Sequence, residues 1–251
     1  MIHGTFYKSD INFHQKLLKM KQLLALLALS FSINLMAQTK QTRTTADFSG
    51  ISSASGISVQ IKEGTANEVI VSSSKDELVD NIKTEVDENG VLKIYYKNPK
   101  KNNWNSTKNV KLNAFITYKK INVLMASSGS SLQADVPVKA TNIKIEISSG
   151  ANMQVDIAAA ECTINISSGA VAKIGGNATD TKIIASSGSM LKAEKLITDN
   201  CTANASSGAE VKIEITKKLN ASASSGSSIK YKGNPTVESK KVSSGGQIKQ
   251  M

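Results

Sequence analysis

Histidine is nearly missing from this chain: there are 2, His3 and His14, both inside the first 37 residues. Once a leader of that length is removed, no imidazole is left. That excludes Ser-His-Asp relays, His-ligated metals and imidazole acid–base catalysis. Arginine occurs once, at Arg43, so the positive surface is built from lysine. Aromatic residues make up 4%, too few to stack bases along a nucleic acid, so no nucleic-acid partner is expected. Cysteine occurs twice, at Cys162 and Cys201. Long hydrophobic runs are confined to Leu23–Leu35, a stretch too short to span a bilayer comfortably. No transmembrane segment is expected in the mature chain.

That one run has the form of a secretory leader. It follows Met20-Lys21-Gln22 and ends at Met36-Ala37-Gln38, a positive start, an apolar middle and a small residue at the exit. Residues 1–37 are therefore expected to be a signal peptide, with Met20 as the true start and 1–19 an over-long gene start. The expected location is periplasmic, cell-surface or secreted. No Cys follows the cleavage point, which argues against a lipid anchor. The remaining 38–251 segment holds 27 basic and 19 acidic residues, net +8, and is expected to be a single domain.

What is abundant is Ser-Ser-Gly. Seven copies end at Gly129, Gly150, Gly169, Gly188, Gly208, Gly226 and Gly245, and a degenerate copy ends at Gly56. A period of about 19–20 residues marks a solenoid. Around Gly150, Ile143, Ile145, Ile147, Ala151, Met153, Val155 and Ile157 all share one parity. Period two means strands with one buried face on each side of a tight corner. Stacked copies bury a common core, which makes the chain all-β, a β-helix. Glycine gives the corner its backbone freedom. The same parity places the Ser before each glycine inward, as a buried hydroxyl ladder of Ser128, Ser149, Ser168, Ser187, Ser207, Ser225 and Ser244.

Residues 44–62 form an isolated first rung, 63–109 an insertion, and 110–251 the regular repeats. Within the insertion, Val69–Val71 predicts a strand, and Ser74 with Glu77 a capping box opening a helix over Leu78–Ile82. Asp87-Glu88-Asn89-Gly90 predicts a hairpin turn between Thr84–Val86 and Val91–Tyr96. Residues 97–108, with Pro99 and Trp104, predict a surface loop. The parity set by Leu112, Ala114, Ile116 and Tyr118 leaves Ile121, Val123 and Met125 facing outward, so the insertion is expected to cover that face.

In stacked rungs, equal repeat offsets form columns at about 4.8 Å. Seven equivalent serines are not one active site, and no other residue pattern supplies one, so no catalytic residue, metal site or cofactor is expected. Cys162 and Cys201 share a column with one rung between them, beyond disulfide reach; buried free thiols are expected. Four residues after each glycine stand Gln133, Gln154, Lys173, Lys192, Lys212, Lys230 and Lys249. Two further on stand Asp135, Asp156, Gly175, Glu194, Glu214 and Lys232. The plain interpretation is a solvated face whose lysine and acid ladders cancel. The sharper one is a polyanion-binding stripe of Lys173, Lys192, Lys212, Lys230 and Lys249 for an acidic glycan or other envelope component. The outward columns lack a regular Thr array, which sets ice binding aside. Tyr95, Tyr96, Tyr118 and Trp104 are a candidate sugar-stacking patch, with ordinary packing as the alternative.

Phe48-Ser49-Gly50-Ile51, Gly56-Ile57-Ser58-Val59, Leu92-Lys93-Ile94 and the serial Ser-Ser-Gly corners, behind a leader, resemble one known family. It is the putative auto-transporter adhesin, head GIN domain family of Bacteroidetes-type exported proteins, with Ser58 where that name suggests Asn. The resemblance covers residues 44–245. It implies a right-handed parallel β-helix, similar in shape to pectin-lyase folds but without their catalytic residues, and a role in adhesion. The chain ends at Met251 just past the last rung, so no translocating barrel or sorting domain is expected. The expected function is a non-enzymatic, exported adhesin-like binding module that binds through its flanks or self-associates. The alternatives are a carbohydrate-active enzyme on the same scaffold and a ligand-free structural envelope protein.

Overall fold

The computed structural model describes residues 39–97 and 110–251; the expected leader and the 98–109 part of the loop, including Pro99 and Trp104, lie outside the described residues. The chain forms a solenoid of stacked strands. In order, β1 is Thr39–Arg43, β2 Gly50–Ser53, β3 Ser58–Glu63, β4 Glu68–Ser73, β5 Ile82–Val86 and β6 Val91–Tyr96. Then β7 is Leu112–Tyr118, β8 Val123–Ala126, β9 Ser131–Ala134 and β10 Val138–Ile147. The long strands are β11 Asn152–Ile166, β12 Val171–Ala185, β13 Met190–Ala205 and β14 Glu210–Ala223, followed by β15 Ser228–Lys232, β16 Thr236–Val242 and β17 Gln247–Gln250. Consecutive long strands pair in parallel, Gln154 opposite Lys173 and Ile164 opposite Ile183, so each rung lies on its predecessor.

The corners explain the repeat. In each, the second Ser and the Gly both have positive φ, for example 52° at Ser149 and 68° at Gly150, and the Ala151 N–H donates to the Ser148 carbonyl at 3.1 Å. Two left-handed residues inside a closed four-residue loop are the signature of a type I′ turn. Neighbouring tips are joined: the Gly150 N–H donates to the Ser168 carbonyl, and the Gly169 N–H to that of Ser187, each at 3.0 Å.

This geometry corrects the serine ladder. Ser128, Ser149, Ser168, Ser187, Ser207, Ser225 and Ser244 are exposed, because the tip lifts both of its residues out of the strand alternation. The buried small residue is the one after the glycine: Ser130, Ala151, Ala170, Ser189, Ala209 and Ser227. Its hydroxyls share one role. Ser130 donates to the Ser53 carbonyl at 3.0 Å, Ser189 to Ile166 at 3.1 Å and Ser227 to Ala205 at 2.8 Å. In each case the acceptor lies three residues before the preceding corner glycine. A buried hydroxyl is tolerated because it is satisfied.

A second corner, seven residues after the first, also uses glycine in two rungs. Gly176 has φ 94° and Gly233 φ 91°. A Cβ on either would stand 2.0 Å from the carbonyl oxygen of Ile157 or Ile215 in the rung below.

The insertion ends the stack. β6 lies parallel on β2, and β7 parallel on β3. β5 then adds antiparallel to β6, β4 to β7, and β1 to β4. The described strands β4 to β7 therefore extend the rungs beyond β2 and β3 instead of covering a side. Ile121, expected to face outward, is 2% exposed and belongs to the core, because it lies in the non-strand break after Tyr118; the alternation resumes with Leu124 and Ala126 inward, and Val123 and Met125 take the other face. The hairpin is present, with Gly90 at φ 70° and the Asp87 carboxylate accepting from the Asn89 and Val91 N–H groups.

The capping box is not made. A 3-10 helix spans Asp76–Asn81 with no side-chain N-cap, because the Ser74 hydroxyl accepts the Lys111 N–H at 3.0 Å and fastens the insertion to β7. The single arginine donates to the Val79 carbonyl at 3.0 Å, tying β1 to that turn.

Tyr118 is 2% exposed, and its hydroxyl has no partner among the described residues. Burial pushes its pKa up to about 12. Tyr118→Phe removes an unsatisfied hydroxyl without changing the packed ring. It is expected to be neutral or to raise stability by about 1 kcal/mol in denaturant titration; a loss of stability would mean that the hydroxyl is bonded.

Candidate functional site

Lys173, Lys192, Lys212, Lys230 and Lys249 stand directly opposite one another in successive strands. Gln154, Gln133 and Gln60 continue the column toward the other end. The column exists because each lysine alternates with inward residues, such as Ala172 and Ile174 beside Lys173, or Val211 and Ile213 beside Lys212. Like charges about 4.8 Å apart repel by about 1 kcal/mol per neighbouring pair in water. Splayed side chains, salt and counter-charges each relieve that repulsion.

Counter-charges reach only part of it. The Glu210 carboxylate lies 3.0 Å from Lys230 Nζ and 3.4 Å from Lys212 Nζ, and Glu194 approaches Lys212 at 3.9 Å. The Lys230 hydrogen bond is the main cause holding the Glu210 carboxyl below its ordinary value. Lys173, Lys192 and Lys249 make no ion pair among the described residues.

The expected second ladder, Asp135, Asp156, Gly175, Glu194, Glu214 and Lys232, is broken, so the two columns do not cancel along their length. Asp156 faces Gly175, but Gly175 faces Lys195, and Glu214 faces Ile197. The register shifts between Ala193 and Ile197. The interval from Gly188 to Gly208 is one residue longer than the 19 before it, and the extra length is taken up here. The Glu194–Lys195 segment stands off the face as a result.

Beside this bulge is a cleft of about 550 Å³. Its floor includes Ile174 and Gly175, and its walls carry Lys173, Lys192, Lys195 and Lys232 with Asp156 and Glu194. Gly175 keeps the floor low: a Cβ there would stand 2.3 Å from Asp156 Oδ1. Gly175 and the bulge, not the lysine column alone, give this face a concavity, and the Gly-Gly pair and the 20-residue interval were its sequence signals.

A second concavity of about 480 Å³ lies on the strands before the main corner, along Glu161, Asp180 and Asn200. Asn200 donates to Asp180 at 2.9 Å, and Lys218 pairs with Glu238 at 2.9 Å, so its polar groups are largely mutually engaged. Beneath it the free thiols Cys162 and Cys201 stack in register with Thr181 between them, all three buried, and the Thr181 hydroxyl donates to Thr198 at 2.9 Å. Burial pushes both thiols up to about 12. Neither is expected to react with a thiol reagent at pH 8 in the folded protein, and both should react in denaturant; native-state labelling would contradict this burial. The aromatic patch is not assembled among the described residues. Tyr118 is in the core, and Tyr95 donates to Glu85 at 3.1 Å.

No curated protein matches the sequence. Solved structures do match in fold. A putative adhesin from Bacteroides fragilis superposes with TM-score 0.76 at 18% identity, covering 85% of this chain and 96% of that one. A putative adhesin from Parabacteroides merdae gives 0.67 at 16%, covering 85% and 95%. A protein from Parabacteroides distasonis described as a putative lipid binding protein gives 0.63 at 18%, covering 85% and 96%. The family model described as "Putative auto-transporter adhesin, head GIN domain" matches residues 47–235. With three quarters of its length under that model, the chain belongs to the head GIN domain family of putative auto-transporter adhesins.

Proposed function

We propose that this protein is an exported, non-enzymatic binding module that holds an acidic glycan of the cell envelope or its surroundings along the lysine column. Residues 1–37 act as the leader, cut after Ala37, and residues 38–251 act as a single binding domain at the surface or in the periplasm. The observation that carries this reading is the in-register stack of five lysines whose charge is only partly neutralised. The adhesin description of the family agrees with it. Among the described residues no helix is long and apolar enough to cross a membrane.

A general acid needs a raised carboxyl pKa, whereas those of Asp87, Asp199, Glu210 and Glu238 are lowered. The chief causes are the Val91 N–H for Asp87 and hydrogen bonds from Lys217, Lys230 and Lys218 for the others. These carboxylates serve as partners of lysine and backbone donors.

The test is an array of neutral and acidic glycans probed at low and raised salt. Acidic glycans should be retained and then released as salt rises. Equal retention of neutral glycans, or none of any, would sink this reading.

A further inference from the structure

We propose that the cleft beside Gly175 is the seat for one carboxylate-bearing sugar unit, a uronic acid residue, of the polymer held by the column; this rests on the glycan-binding reading above. Three observations converge on the cleft.

The first is where the available positive charge lies. Glu210 engages Lys212 and Lys230, whereas Lys173 and Lys192 carry no ion pair among the described residues and open on the cleft. The bulge brings Lys195, and β15, two rungs further on, brings Lys232, to the same hollow. Charge-assisted hydrogen bonds to a carboxylate are therefore available here more than anywhere else on the column.

The second is the acceptors that share the walls. Asp156 and Glu194, with the Gln154 amide, can take hydrogen bonds from hydroxyls. The same two carboxylates repel a chain of phosphates or sulfates, at about 1 kcal/mol for each close like-charge pair in water. Lysines beside acids suit a ligand with one negative charge among several hydroxyls, which describes a uronic acid unit and not a polyphosphate.

The third is shape. The register shift at Ala193–Ile197 and the missing side chain at Gly175 turn a flat strand face into a hollow of about 550 Å³, within the range of small-molecule sites. A regular rung would offer only a flat ridge of lysines.

The experiment is calorimetry of the purified protein with an oligogalacturonate of defined length, inorganic polyphosphate and a neutral oligoglucan. Lys173→Gln with Lys192→Gln and Lys195→Gln should weaken oligogalacturonate about tenfold or more, while Lys212→Gln with Lys230→Gln, at column lysines already engaged by Glu210, should weaken it clearly less. Asp156→Asn keeps an acceptor for hydroxyls and removes a repelling charge, so it should strengthen polyphosphate more than oligogalacturonate. Unchanged melting temperatures would assign these effects to the surface and not to folding.

Tighter binding of polyphosphate than of oligogalacturonate by the unaltered protein would overturn the uronic acid assignment. Equal weakening by the two lysine sets would overturn the cleft as the seat and leave the column reading standing. Absence of binding to any polyanion would overturn both.

Discussion

Gly176→Ala should lower the stability of the fold by about 3 kcal/mol, more than alanine at any Ser-Ser-Gly corner. Two costs add. At φ 94° an L side chain is strained by about 1–2 kcal/mol. Its Cβ would also stand 2.0 Å from the Ile157 carbonyl oxygen, a backbone atom that cannot move without opening the pairing of the two rungs. At Gly150 only the first cost applies: φ is 68° and nothing lies within 4 Å of an added Cβ. Ser149 already holds a similar conformation beside it with φ 52°. Gly150→Ala should therefore cost about 1 kcal/mol. Denaturant titration of the two variants checks this, and equal losses would contradict the second-corner geometry.

Ile164→Ala should cost about 3 kcal/mol. Ile164 is fully buried and sits opposite Ile145 in one neighbouring rung and Ile183 in the other. The rung spacing of about 4.8 Å is fixed by backbone pairing on both sides, so the neighbours cannot close the hole. Sites that cannot relax lie above the low end of the Ile→Ala range. Because each rung touches only its neighbours, the loss should appear as local loosening of β10, β11 and β12 before it reaches the ends. Hydrogen exchange would check this through lowered protection in those strands. Uniform loss along the whole solenoid would contradict nearest-neighbour stacking.

Much of this architecture was legible because a type I′ tip removes two residues and so returns the chain to the same parity. Ile147 and Ala151 are both inward although a corner lies between them. That economy also misled. Running the alternation straight through the tip placed Ser149 inside, whereas two positive φ angles turn it out and leave the inward hydroxyls to Ser130, Ser189 and Ser227.

The end of the stack was not legible. Pairing of β6 with β2 and of β7 with β3 joins segments about 40–55 residues apart, and no local pattern records it. Ser74 and Glu77 have the spacing of a cap, but tertiary structure uses the Ser74 hydroxyl to receive Lys111. At the lysine face the column followed directly from repeat offsets. The cleft did not, since a 20-residue interval tells that one residue is extra without telling where it is lodged. Its place beside Gly175 and Gly176, with Lys195 in the position that counting gave to Glu194, needed the backbone register.

The most direct measurement is the affinity of an acidic glycan as a function of salt, for the unaltered protein and for the variant with Lys173, Lys192 and Lys195 changed to glutamine. A lysine column that works by charge predicts strong binding at low salt, a steep fall as salt rises, and a much shallower fall from weaker binding in the variant. Binding that ignores salt, or that is the same in both proteins, would contradict a functional lysine face and leave the column as a solvated surface of the solenoid.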